Sequence, residues 1–282
     1  MQNLIFIIVL SFFAGYNAIA QTSNITKTEL SPAEISHIVK KFTRNEALFR
    51  QALNIYAFNR NATLQTIGMG GQITGTYKRD SYLTFNEAGE RFEKILFAPV
   101  STLTEIQITV ADIENLGGID PFAIEPRVAD QYNFTYLGKE RIDELDLYVF
   151  DASPKVMPDP KKGVAKFFSG RIWVDDRDLM IVKSKGKAVP EGKERFPIIE
   201  TWRENIDGKY WFPAFSSSDD ELVFEKGQVV KMKVRVKYTD YRVGRTDVKI
   251  ISEEDMPAEK PGPSPTPKSR KSISPLRRAI EN

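Results

Sequence analysis

The chain has 282 residues, of which 41% are hydrophobic and 28% charged, and its net charge is +2, as in an ordinary globular protein. A charge so balanced gives no reason to expect a nucleic-acid partner. The sequence has no cysteine, which excludes disulfides, thiolate metal sites, a cysteine nucleophile and a lipid-modified N-terminal cysteine. The single histidine, His37, has no companion group that would suggest catalysis, and we expect it on the surface.

Residues 1–20 have the pattern of a signal peptide. An uncharged apolar run, LIFIIVLSFFAG, precedes Ala18-Ile19-Ala20, the small-x-small pattern of a signal-peptidase site. The alternative is a transmembrane anchor, but the run is shorter than the roughly 20 residues needed to span a bilayer. The sequence therefore predicts cleavage after Ala20 and a periplasmic or secreted protein.

A helix is predicted to begin at Ser31-Pro32-Ala33-Glu34. The serine can cap the free N–H groups, proline is tolerated in the first turn, and Glu34 completes a capping box. An apolar stripe follows at helical spacing and continues through Leu53 after a jog that we predict near Thr43. The stripe either packs on a sheet as plain core or forms a lid over a cavity. Its first members are Ile35, Ile38, Val39 and Phe42.

Most of the remaining chain reads as β-strands joined by polar turns. Between two of these strands, the sequence of residues 109–116 predicts a short helix. We expect its Asp112 and Glu114 to interact with the helix N-terminus and dipole rather than to bind a metal. The strands predicted before residue 164 are Asn54–Thr66, Gln72–Phe85, Glu90–Ala98, Gln131–Leu137 and Glu144–Ala152.

The stretch from Val164 to Tyr241 predicts a series of antiparallel hairpins. Asp207-Gly208 and Lys226-Gly227 are hairpin signals, because glycine tolerates the positive φ of such turns. Apolar and basic residues alternate in the last strand, so we expect one face of the strand to be buried and the other to be exposed to water. We therefore expect an α+β fold in which a strongly curved antiparallel sheet is covered by a few helices.

The chain is predicted to contain one folded domain, residues 21–256, between the signal peptide and a tail. Residues 257–282 are rich in proline, serine and basic side chains and show no core-forming periodicity. Such a segment buries too little apolar surface to offset its ordering entropy, so we expect a disordered tail.

Three segments resemble the outer-membrane lipoprotein-sorting (LolA/LolB-like) superfamily: YLGKERIDELDLYVFDASPK, FFSGRIWVDDRDLMIVK and ETWRENIDGKYWFP. Glu144 departs from the pattern, since the family has a turn glycine there. The resemblance covers the layout of residues 31–250 and implies an unclosed β-barrel with helices as a lid and an apolar cavity for acyl chains. The matched positions are Gly138, Glu140, Ile142, Asp143, Tyr148, Pro154, Lys155, Trp173, Val174 and Asp175.

Two functions follow as expectations. The first is a non-enzymatic, monomeric carrier or receptor that binds a lipid or lipoprotein acyl group and uses no cofactor or metal. The alternative is an envelope protein-interaction or sensor module, with Trp202, Tyr210 and Trp211 in one exposed patch. No catalytic set of residues is recognisable. The residues predicted to line the lipid-binding cavity are Ile35, Ile38, Val39, Phe42, Ile172, Val174, Met180, Val182, Met232, Val234 and Val236.

Overall fold

A computed structural model describes residues 24–108, 124–160 and 166–244. The predicted signal peptide, the predicted helix over residues 109–116 and the predicted tail all lie outside these residues. A helix α1 (Pro32–Leu53) precedes ten strands, and a single-turn helix α2 (Pro126–Ala129) lies between the third and fourth strand. The strands are β1 (Tyr56–Ile67), β2 (Ile73–Phe85), β3 (Arg91–Phe97), β4 (Tyr132–Ile142), β5 (Leu145–Pro154), β6 (Phe167–Asp175), β7 (Ile181–Val189), β8 (Ile199–Ile206), β9 (Tyr210–Val223) and β10 (Val229–Val243).

The ten strands form one antiparallel sheet in the order β3-β2-β1-β10-β9-β8-β7-β6-β5-β4. The sheet is unclosed, because β3 and β4 stand at its two ends and do not pair with each other. The predicted fold class, an open antiparallel sheet with few helices, is therefore confirmed.

Alternation places the side chains of β10 as the sequence predicts. Met232, Val234, Val236 and Tyr238 are buried, whereas the basic residues between them point to the opposite face. We call the face that packs against α1 the inner face and the other the outer face. The hairpin turn at Asp207-Gly208 has positive φ at both residues, the conformation that the sequence signal required.

The capping box at the start of α1 is present. The Ser31 side chain accepts a hydrogen bond from the Glu34 N–H at 3.3 Å, and the Glu34 carboxylate accepts one from the Ser31 N–H at 2.7 Å. The predicted jog near Thr43 is wrong, because α1 is continuous over 22 residues. The Thr43 hydroxyl donates to the Val39 carbonyl of the previous turn, so the residue is accommodated within the helix.

Strand β4 is longer than predicted, and its free edge is partly covered. The register shifts between Tyr136 and Gly138, and the strand then continues to Ile142 instead of ending at Leu137. Gly138 has φ 137°, and a Cβ built there would lie 2.4 Å from the Thr26 carbonyl oxygen. The glycine thus lets residue 26 approach and form a two-bond bridge with Lys139.

Candidate functional site

Helix α1 lies on the inner face through one buried stripe. Its apolar members divide between two clusters: Ile38 and Phe42 in the first half of the helix pack against β4 to β7, whereas Phe49 and Leu53 in the second half pack against β1, β9 and β10. We call these the first and second inner clusters. Their separate composition shows that the inner face is not one uniform apolar surface.

A buried ion pair lies between the two clusters. Glu46, in the middle of the α1 stripe, accepts hydrogen bonds from both terminal nitrogens of Arg203 on β8, at 2.6 and 2.9 Å. The side chains are only 1% and 5% exposed, and the Arg203 guanidinium lies 4.1 Å from the centre of the Phe49 ring. On the preceding residue, the Asn45 amide donates to the backbone carbonyls of Asp178 and Leu179. These bonds fix the middle of α1 to the sheet.

The first inner cluster is aromatic and has a partly exposed margin. Phe42 is fully buried, with its ring 5.3 Å from that of Phe134 and 5.8 Å from that of Phe150. The Tyr132 hydroxyl accepts a hydrogen bond from the Phe168 N–H, and burial raises the pKa of Tyr132 to about 12, so this phenol is neutral. The half-buried residues packed around the cluster are Leu30, Ile35, Val39, Val128, Phe134, Tyr136, Tyr148, Phe167 and Leu179.

The second inner cluster is densely packed. Phe49 is fully buried against Phe212, and Met232, Val234 and Val236 of β10 are almost completely buried beside them. Loop residue Ile106 joins the same cluster and is 1% exposed. A half-buried margin surrounds this cluster as well, formed by Tyr77, Leu83, Leu103, Ile108, Ile206, Tyr210 and Tyr241.

Beyond the second inner cluster, towards β3, the inner face carries an ionic network. The Glu93 carboxylate accepts hydrogen bonds from Arg60 at 2.9 Å, from Arg79 at 2.7 and 2.9 Å, and from the Ser81 hydroxyl. Burial alone would raise the pKa of Glu93, but these hydrogen bonds and the two guanidinium charges outweigh it and lower the pKa to about 2. Arg91 of β3 donates to the backbone carbonyls of Leu53 and Tyr56. The network closes this end of the inner face with charged groups.

The structure divides the predicted cavity residues among four places. Ile35, Ile38, Val39, Phe42, Ile172 and Val174 meet at the first inner cluster, and Met232, Val234 and Val236 belong to the second. Met180 is half-buried just before β7. Val182 lies on the outer face, because β6 and β7 shift register between Trp173 and Val174 and leave Val182 as the extra residue. It packs there with Leu147, Val149 and Trp173.

The three aromatic residues of the alternative hypothesis do not form one exposed patch. Tyr210 packs on the inner face against Tyr56 and Phe212. Trp211 packs against the outer-face cluster instead, and Trp202 is half-buried with the Lys183 ammonium 4.1 Å from its ring centre. Adjacent residues of a strand point to opposite faces, which separates Tyr210 from Trp211.

Sequence reasoning missed Glu46 and Arg203, which lie 157 residues apart. The available signal was a carboxylate within the apolar stripe of a predicted helix, between Phe42 and Phe49. Such a group needs a cationic partner, but a single sequence does not say which one.

Among the described residues, no group of three or more acidic or histidine side chains is placed to hold a metal ion. Within the same residues, no helix has the length and apolar character required to cross a bilayer.

No family model matches the chain, and no curated protein matches it in sequence. It is similar in structure to a DUF1329 family protein from Desulfovibrio piger, with 16% identity and a TM-score of 0.36 over 74% of this chain and 96% of that one. A LolA superfamily protein from Nitrosomonas europaea has 14% identity and a TM-score of 0.33, covering 75% and 98% of the two chains. A putative outer membrane lipoprotein-sorting protein domain from Vibrio parahaemolyticus has 12% and 0.32, covering 77% and 96%. At these identities and TM-scores, we draw no argument from these proteins and transfer no residue role from them.

Proposed function

We propose that this protein is an exported, non-enzymatic carrier or receptor that holds the acyl chain of a lipid or lipoprotein against the first inner cluster. The proposal rests on the half-buried aromatic side chains that border this cluster beside the fully buried Phe42. An apolar surface that the fold leaves half covered is a natural place for an apolar ligand.

The limited helical cover supports this proposal. A helix is about 10 Å wide, whereas ten strands spaced about 4.8 Å apart extend over roughly 43 Å. Within the described residues, α1 is the one long helix that lies on this face. Among the described residues, helical cover is therefore limited to part of the apolar inner surface.

The second inner cluster is a poorer site for a ligand. Its side chains already fill the space under the second half of α1, and the Glu93 network brings charge to its outer end. An acyl chain would have to displace packed side chains there. We accordingly place the acyl chain near Ile38, Val39 and Phe42 rather than across the whole predicted residue set.

The test is the binding of a dansyl-labelled fatty acid to the purified protein. In Val39→Glu, a carboxylate enters the half-buried margin, and we expect the probe affinity to fall at least tenfold. His37→Glu places the same charge on the exposed side of the same helix turn and should bind as the wild type does. Mass spectrometry of protein purified from its envelope should also detect co-purifying lipid. Absence of both probe binding and lipid, or equal affinities in the two variants, would contradict the proposal.

The alternative, an envelope protein-interaction module without lipid cargo, is favoured by the β3 edge. Phe92, Ile95, Leu96 and Phe97 are 43–57% exposed on this terminal strand, whose outer edge pairs with no other described strand. An apolar edge strand is a template for pairing with another chain. Crosslinking at position 95 that captures one specific envelope protein, with no fatty-acid binding, would select this alternative.

A further inference from the structure

Four exposed apolar side chains lie together at one end of the sheet. Met69, in the turn from β1 to β2, is fully exposed, and Ile73, Val223 and Val229 are 56%, 54% and 48% exposed. Because β1 pairs with β10, the β1–β2 and β9–β10 turns are neighbours. We call these four residues the apolar rim.

The apolar rim lies on two turns closed by backbone hydrogen bonds. The Gly68 N–H donates to the Gln72 carbonyl across the first turn, and the Phe224 N–H donates to the Gln228 carbonyl across the second. Val223 and Val229 are direct cross-strand partners, and Ile73 is the partner of Ile67. Apolar side chains held on two hydrogen-bonded hairpins project from the end of the sheet without lining a groove.

Cations lie immediately behind the apolar rim on the outer face. Lys231 follows Val229 by two residues, and Lys233, Arg235 and Lys237 continue the same row, while Lys226 lies in the second turn. Two residues of a strand extend roughly 7 Å, which is the depth over which a bilayer changes from acyl chains to headgroups, about 5–10 Å. The nearby carboxylates of β9 and the turn are Asp219, Asp220, Glu221 and Glu225, against five cations. Glu221 pairs with Lys231 and Asp219 with Arg235.

We propose that the apolar rim docks the protein on an anionic lipid bilayer. The rim side chains enter the acyl boundary, and Lys226, Lys231 and Lys233 contact the negatively charged headgroups. The order of layers on the protein, apolar first and basic behind it, matches the order in the membrane. A second copy of the chain fits less well, because a two-fold contact would bring the basic rows towards each other.

Vesicle flotation tests this docking with the purified protein and its native N-terminus. We expect the protein to float with vesicles of phosphatidylglycerol and phosphatidylethanolamine, and to float much less with phosphatidylcholine alone. Binding should weaken with added salt, since exposed charges are screened within about 10 Å at 0.1 M salt. Met69→Glu should reduce the partition coefficient at least tenfold. Lys231→Gln combined with Lys233→Gln should reduce it several-fold on anionic vesicles only.

The matched control is Met157→Glu, because Met157 is also an exposed methionine, 57% accessible, outside the rim. It should bind vesicles as the wild type does, and both methionine variants retain the basic residues after position 257. Equal flotation of Met69→Glu and wild type, no flotation on anionic vesicles, or flotation only with vesicles that contain envelope protein would overturn the inference. Met69→Glu should keep the wild-type fatty-acid affinity, so failure of docking and failure of the carrier proposal give different results.

Discussion

The two halves of the inner face share one helix as cover but differ in the groups that border their apolar residues. Under the second half of α1, Phe49 and the β10 side chains are packed, and the Glu93 network closes the end. Under the first half, Phe42 and Phe150 are equally buried, and the half-buried aromatic side chains of Phe134, Tyr136, Tyr148 and Phe167 border the cluster. We therefore expect the second half chiefly to stabilise the fold, and we propose that a ligand binds at the first.

The largest effect is expected at the boundary between the two halves. Glu46→Ala leaves the Arg203 guanidinium buried without its counter-charge, which should lower the free energy of unfolding by about 3–5 kcal/mol. Urea unfolding measures the change. The double variant Glu46→Ala/Arg203→Met removes the charge as well and should recover part of the loss. A loss of under about 1 kcal/mol in Glu46→Ala would show that the boundary is not fixed by this pair.

Regular patterns made most of the sheet predictable from the sequence. The alternation of Met232, Val234 and Val236 determines which face of β10 is buried, and Asp207-Gly208 determines a turn. These features are local, so neighbouring residues contain the whole signal.

Features that depend on contacts distant in sequence were not predictable. The extra residue at Val182 reverses its side chain, and nothing in the alternation marks a bulge there. Strand β4 continues past Gly138 after a register shift in its pairing with β5, and residue 26 then bridges its other edge. The division of the inner face likewise depends on Arg203 reaching Glu46, so the sequence suggested one continuous cavity where the structure has two clusters.

A smaller effect should appear in the pH dependence of stability. The pKa of Glu93 is about 2 in the folded protein and 4.5 ordinarily, so its ionised form is favoured by folding. A lowered folded pKa contributes stability above about pH 4.5, and the contribution is lost as the pH falls towards 2. With allowance for solvent screening, we expect Glu93 to contribute on the order of 2 kcal/mol.

Unfolding midpoints in urea between pH 2 and 7 measure this contribution. Glu93→Gln should be less stable at pH 7 and should flatten the curve between pH 2 and 4.5. Glu87→Gln, in the exposed β2–β3 turn, should keep the wild-type curve. Parallel curves for Glu93→Gln and wild type would show that the network does not stabilise the closed end.

The smallest effect is expected at the start of α1, over the partly covered half. Ser31→Ala removes the hydroxyl that accepts from the Glu34 N–H and should cost about 1 kcal/mol. Because the cap lies at the opposite end of α1 from Phe49, the first turns should exchange amide hydrogens faster while residues 46–53 keep their protection. Ser36→Ala, at an exposed position inside the same helix, is the control and should be neutral or slightly stabilising, because alanine has the higher helix propensity. Equal loss of protection along the whole of α1 would mean that the helix opens as one unit, and the two halves of the inner face would then not be independent.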